Sequence, residues 1–182
     1  VVVLLKNLKR RHFMEILTIL GSPHDPAVST ILAHQLIKGA QAAANHVTIF
    51  DAGHHPLAPV KMDADNHLLP GDAVTERLLD QMVAADLIVF ATPMFYYGMS
   101  SQMKAVIDHM GERDEQLHDD KQAILVASAP HNDFDPLKSE FKAIFDHLGW
   151  KFAGQVLAGK ETTPHHLRFY PDLAYELGKS LN

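Results

Sequence analysis

Three short stretches carry side chains that a packed core does not require. The first is Gly21-Ser22-Pro23-His24-Asp25-Pro26-Ala27-Val28-Ser29-Thr30, rich in hydroxyls and placed just before an Ala- and Leu-rich helical run. A helix amino terminus offers unpaired N–H donors and partial positive charge, which suits a phosphate. Ser22, Ser29 and Thr30 can add O–H donors, and His24 is the only candidate cation in the turn. The pattern is neither GxxxxGK[ST] nor GxGxxG. Ser29 or Thr30 could equally serve as a plain helix cap. The second stretch, Thr92-Pro93-Met94-Phe95-Tyr96-Tyr97-Gly98, separates the apolar run Asp86–Phe90 from a helical run. Its Pro and Gly shape a turn, and its rings offer flat faces to a flat aromatic ligand. At least one of Phe95, Tyr96 and Tyr97 is expected to plug the core beneath. The third stretch, Ser128-Ala129-Pro130-His131, begins a small polar turn after another apolar run. Alone it is only a turn signal.

These stretches gain meaning from the elements that must hold them. Short apolar runs at Glu15–Leu20, His46–Phe50, Leu87–Ala91, Ala123–Ala127 and Phe152–Leu157 read as strands buried on both faces. Helical spacing marks Ser29–Ala44, Asp72–Ala84, Ser100–Met110, Pro136–Leu148 and Pro171–Leu181. Strand–helix alternation predicts an α/β domain: a five-stranded parallel sheet in order 2-1-3-4-5, with helices on both faces. All three stretches then fall at the carboxyl ends of strands, where open α/β sheets bind ligands. The segment Asp51–Gly71, with Pro56, Pro59 and Pro70, reads as a long irregular loop.

Composition excludes several chemistries. Of 182 residues none is Cys, so disulfides, Cys nucleophiles and thiolate-held iron–sulfur clusters are ruled out. Redox chemistry would need a bound cofactor. Cys-free composition also fits a cytoplasmic location. Net charge is −6, which argues against a nucleic-acid partner. No apolar run approaches the roughly 20 residues that span a bilayer. Residues 1–13 carry Lys6, Lys9, Arg10 and Arg11 and no acid, leaving the other 169 residues at −10. They read as a disordered extension before a single domain spanning 14–182. Thirteen His are present, but no HExxH or comparable ligand spacing, and no metal is expected. His109 and His147, within helical runs, read as surface or cap groups. His131 is the His best placed to meet a substrate.

The stretches "ILTILGSPHDPAVST" and "ATPMFYYGMSSQMKAVIDHM" resemble the NADPH-dependent FMN reductase and iron–sulfur-flavoprotein-like group of flavodoxin-fold proteins. "DPLKSEFKAIFDHLGWKFAGQVLAGK" resembles that group's fourth helix and fifth strand. The resemblance implies a three-layer flavodoxin-like sandwich that binds FMN, oxidises NAD(P)H and reduces a small acceptor: a quinone, flavin, nitro or azo compound, or metal ion. It implies that Ser22, His24, Ser29 and Thr30 hold the FMN phosphate. By the same carry-over Pro93, Met94, Phe95, Tyr96, Tyr97 and Gly98, with Thr92 at their head, border the ribityl chain and ring, and Ser128, Ala129, Pro130 and His131 flank the ring. It also implies a homodimer with the aromatic turn near its interface. Family members often carry Arg where His24 stands, and glycines in the third turn, so this chain departs from the pattern at both. No side chain is assigned as catalytic, since hydride transfer to a flavin needs no protein acid or base. Two other classes stay open: a flavodoxin-type electron-transfer protein, and a flavodoxin-fold module that has lost FMN.

Overall fold

The computed structural model describes residues 13–118, 120–160 and 162–181. The expected basic extension, residues 1–12, lies outside them. The chain alternates strand and helix: β1 Glu15–Leu20, α1 Val28–Ala42, β2 His46–Asp51, α2 Ala73–Ala84, β3 Leu87–Phe95 and β4 Gly98–Met99. There follow α3 Ser101–His109, a 3-10 turn Met110–Arg113, α4 Asp114–Leu117, β5 Gln122–Ser128, α5 Asp135–Leu148, β6 Lys151–Ala158 and α6 Tyr170–Lys179.

Five strands pair in parallel in the order β2-β1-β3-β5-β6. Counted without the two-residue β4, this is the expected 2-1-3-4-5 arrangement. Continuous apolar runs produce it because each central strand is covered on both faces. Leu17, Ile19, Ile88, Phe90, Ala123 and Leu125 face α2, α3 and α5. Ile16, Leu20, Leu87, Val89, Ile124 and Val126 face α1 and α6. On the first face Phe90, Phe141, Phe145 and Trp150 pack ring against ring at 5.5–6.3 Å. On the second, α1 and α6 approach so closely that a Cβ on Gly39 would lie 2.0 Å from the Tyr175 carbonyl oxygen.

The second stretch differs from the expected turn. β3 runs on through Thr92, Pro93 and Met94 to Phe95, because Pro93 still pairs with Ser128 of β5. Beyond the sheet the chain folds back on itself, with Met94 opposite Met99 and Phe95 opposite Gly98. Only Tyr96 and Tyr97 form the turn. Asp51–Gly71 is the long loop expected, with a single bridge between Met62 and Leu68.

Candidate active site at the carboxyl edge of the sheet

The loops after β1, β3, β5 and β6 meet at one end of the sheet. In the first, Gly21 sits so close to α3 that a Cβ would lie 3.0 Å from Met103 and 3.1 Å from the Ser100 hydroxyl. Ser22 is buried; its Oγ accepts from the His24 N–H at 3.2 Å, closing a small turn that leaves His24 exposed. Neither Ser29 nor Thr30 caps α1, since the cap position is Ala27. Ser29 lies in the first turn of α1, fully buried, and its Oγ has no hydrogen-bond partner. Thr30, next to it, is half-buried.

A buried polar knot ties this loop to the next. Ser100 caps α3 by accepting from Met103 N–H at 3.2 Å and donates to the Gly21 carbonyl at 2.6 Å. Its own N–H donates to Thr92 Oγ1 at 3.0 Å, and Thr92 donates to the Pro93 carbonyl at 2.9 Å. Thr92, grouped with the ligand-facing residues in the sequence, is thus fully buried and occupied in fixing the two loops relative to each other.

The hairpin tip corrects two expectations. Phe95, Tyr96 and Tyr97 are 43%, 102% and 49% exposed, so none plugs the core. Met94 and Met99 do that instead, because the hairpin carries the rings past the last covered row of the sheet. Nor does Gly98 supply a special conformation. The positive φ angles fall on Tyr96 (47°) and Tyr97 (69°). A two-residue antiparallel hairpin of type I′ needs φ > 0 at both central residues, a role Asn and Gly usually fill.

The rings reach across to the neighbouring loops. Tyr97 lies 4.9 Å from His131, centroid to centroid, and Phe95 meets His24 edge-on at 6.3 Å. Between hairpin and third loop is a cleft of about 630 Å³, lined by Val28, Pro93–Tyr96, Ser128–His131 and Thr162. That is a size proper to a small-molecule site. The third loop is set by Asn132, whose Oδ1 accepts from Lys160 N–H at 2.9 Å. Thr162 was not among the sequence candidates; the loop after the fifth parallel strand was the available signal, because it too leaves a carboxyl end.

Four buried polar side-chain atoms lack a partner among the described residues: Thr18 Oγ1, Ser29 Oγ, His131 Nδ1 and Thr162 Oγ1. His131 and Thr162 line the cleft, and Ser29 stands in the α1 turn that Val28 brings to its wall. Unsatisfied buried donors cost roughly 1–3 kcal/mol each, so their concentration here suits a ligand rich in acceptors.

The family model for NADPH-dependent FMN reductase matches residues 14–163. The chain belongs to this family. An FMN reductase-family member is an FMN-dependent oxidoreductase that uses NAD(P)H, and the site fits that cofactor. The first turn of α1 presents N–H donors with an uncommitted hydroxyl, and the cleft sets aromatic faces beside polar loop atoms. Among relatives, it is 26% identical over 162 residues to YwqN of Bacillus subtilis, provisionally named an NAD(P)H-dependent FMN-containing oxidoreductase; the match spans 79% of this chain and 84% of YwqN. It is 33% identical over 110 residues to FMN-dependent NADH:quinone oxidoreductase 1 of Burkholderia lata, covering 52% of this chain and 53% of that protein. The fold is shared with azoreductase AzrA (TM-score 0.73, 14% identity, 92% of this chain and 100% of AzrA). It is shared also with an NAD(P)H:quinone oxidoreductase from Methanothermobacter marburgensis (TM-score 0.71, 14% identity, 94% and 100%).

The long loop brings one more correction. His109, expected at the surface or as a cap, is 3% exposed. Its Nδ1 bonds a carboxylate oxygen of Glu112, and its Nε2 lies 2.8 Å from the Ala58 carbonyl. The other Glu112 oxygen accepts from Gly71 N–H at 2.9 Å. The Asp51–Gly71 loop is thereby fastened at Ala58 and at its last residue to the segment at the carboxyl end of α3. No helix among the described residues is long and apolar enough to cross a membrane.

Proposed function

We propose that the phosphate of FMN is held at the first turn of α1 by Ser22, Ser29 and Thr30, with His24 beside it. The flavin ring then lies between Pro93–Tyr97 with Gly98 and Ser128–His131, and electrons pass from NAD(P)H to a small acceptor of the quinone or azo class. The carrying observation is the pair of uncommitted buried groups on the cleft, His131 Nδ1 and Thr162 Oγ1, with Ser29 Oγ, also unpartnered, on the residue that follows the lining Val28. FMN supplies the two-electron chemistry when bound. The protein supplies position and access. Thr92 and Ser100 fix the two loops that frame the cofactor, the Tyr96–Tyr97 hairpin walls the ring, and Thr162 with His131 offers polar contacts at its rim. The acceptor class follows the names of the relatives together with the flat aromatic wall. The exposed Phe95, Tyr96 and Tyr97 are an apolar patch at the mouth of the site, which suits coverage by a second copy in a homodimer. A Cys-free chain of this kind fits the cytoplasm.

The test is Ser29→Ala. It should weaken FMN by about 1–3 kcal/mol while leaving the apoprotein as stable as before or slightly more so, since the hydroxyl has no protein partner to lose. Unchanged FMN affinity would remove Ser29 from the phosphate site. Anaerobic mixing with NADH and NADPH checks the reaction class: the flavin should bleach with at least one. A flavin that bleaches with neither moves the chain to the electron-transfer class.

A further inference from the structure

A second constellation stands at the opposite end of the sheet. Asp114 opens α4, His118 follows its last residue, and His147 lies in the last turn of α5. Both α4 and α5 lead into the amino ends of strands, β5 and β6, whereas the cleft lies at the carboxyl ends. We propose that Asp114, His118 and His147 bind one divalent late first-row cation, with zinc the best match.

The geometry carries the proposal. His147 Nε2 lies 3.2 Å from Asp114 Oδ1, and His118 Nε2 lies 3.3 Å from Asp114 Oδ2. In a tetrahedral site with zinc bonds of about 2.0–2.1 Å, ligand atoms sit about 3.3–3.4 Å apart, so the carboxylate, whose two oxygens now each face one imidazole, would turn one oxygen to serve both. One ligand atom from each of the three residues falls within 4.8 Å of the others, and binding one ion would draw them closer. The imidazoles meet edge to face, 5.2 Å apart and inclined at 73°, with both Nε2 atoms directed to the one Asp114 carboxylate.

Chemistry and support agree with this. Two neutral imidazoles and one carboxylate form a borderline donor set with one negative charge, suited to zinc rather than to calcium or magnesium. The backbone that carries the ligands is fixed. Leu117 is fully buried and its carbonyl accepts from Trp150 Nε1, while Gly149 turns the chain after α5 in the left-handed conformation. Side-chain exposures of 44%, 36% and 65% for Asp114, His118 and His147 leave the site open to an entering ion. A depression of about 330 Å³ beside Asp114 and His147 has room for water as a further ligand. The ion would clasp α4 to α5. Sequence spacing concealed the set, because His147 is far along the chain and only the fold places it beside Asp114.

The experiment uses tag-free, flavin-loaded protein, stripped with chelator and desalted. Calorimetric titration with Zn²⁺ at neutral pH should give one ion per chain, and Co²⁺ should develop the visible bands of a low-coordinate nitrogen and oxygen site. Zn²⁺ should also raise the thermal midpoint. H118Q and H147Q should each weaken Zn²⁺ by more than the roughly 10–100-fold typical of losing an outer-sphere partner, with the flavin spectrum unchanged. Asp63, Asp65 and His67, an exposed cluster in the long loop, serve as the control, and D63A should leave the tight site intact. Absence of zinc binding, equal binding by the double variant H118Q/H147Q, or a wild-type Co²⁺ spectrum like that of the aquo ion would each overturn the proposal.

Discussion

Tyr96 and Tyr97 hold backbone conformations in which a side chain is strained by roughly 1–3 kcal/mol per residue. Such strain persists where the surroundings use the side chains. Replacing the pair by the favoured hairpin sequence, Tyr96→Asn with Tyr97→Gly, should therefore raise apoprotein stability by about 1–2 kcal/mol in denaturant titration. The same change strips the Tyr96 ring from the cleft wall and the Tyr97 ring from its contact with His131, so FMN affinity or turnover should fall. A variant that gains stability and keeps both FMN affinity and turnover would show that the rings have no part in the site. At this scale the sequence was legible as to which stretches matter and less so as to how each residue acts. Thr92 and Ser29 look alike as buried hydroxyls, yet one is saturated by Ser100 and Pro93 and the other has no partner. That distinction depends on loops brought together from positions 79 residues apart.

At the scale of elements, α2 shows how one side chain starts a helix. Asp72 Oδ1 accepts from Val74 and Thr75 N–H at 3.0 and 2.9 Å and from Thr75 Oγ1 at 3.1 Å. The Thr75 backbone bond, then its hydroxyl, hold the carboxyl below its ordinary value of 3.8. A carboxylate depressed in the native state adds stability above the unfolded value and loses it as pH falls through the native one. Asp72→Ala should therefore destabilise the protein most at neutral pH, and the gap from wild type should shrink as acid protonates the cap. A gap independent of pH would contradict this account. The long loop is held differently. The His109 ring bridges a Glu112 carboxyl oxygen and the Ala58 carbonyl, one ring nitrogen to each. Glu112→Ala leaves that ring nitrogen and the Gly71 N–H without their partner, at a cost of roughly 1–3 kcal/mol for each group. Hydrogen exchange should accelerate across residues 54–71 first. Equal protection in the variant would mean that other contacts secure the loop. Periodicity located all five long helices to within two residues, but could not show that His109 turns inward toward a loop 51 residues earlier.

For the molecule as a whole, strand order was legible because alternating elements and right-handed crossovers leave few topologies. The short β4 was not, since two residues carry no periodicity. The finished arrangement has a consequence for how the protein comes into being. β3, in the middle of the sheet, pairs with β1, whose residues lie about 70 positions earlier, and the cleft wall runs from Val28 to Thr162. On the ribosome, a nascent chain lacks a complete cleft until nearly all of it has emerged, so flavin loads onto a finished scaffold and does not template one. Refolding should accordingly proceed at a rate indifferent to FMN concentration. Unfolding should slow as FMN rises, with a stability gain of about 2.7 kcal/mol at a hundredfold excess over Kd. A refolding rate that climbs with FMN would place the cofactor inside the folding nucleus. If it does not climb, cells starved of flavin would accumulate folded, colourless apoprotein ready to be charged when the vitamin returns.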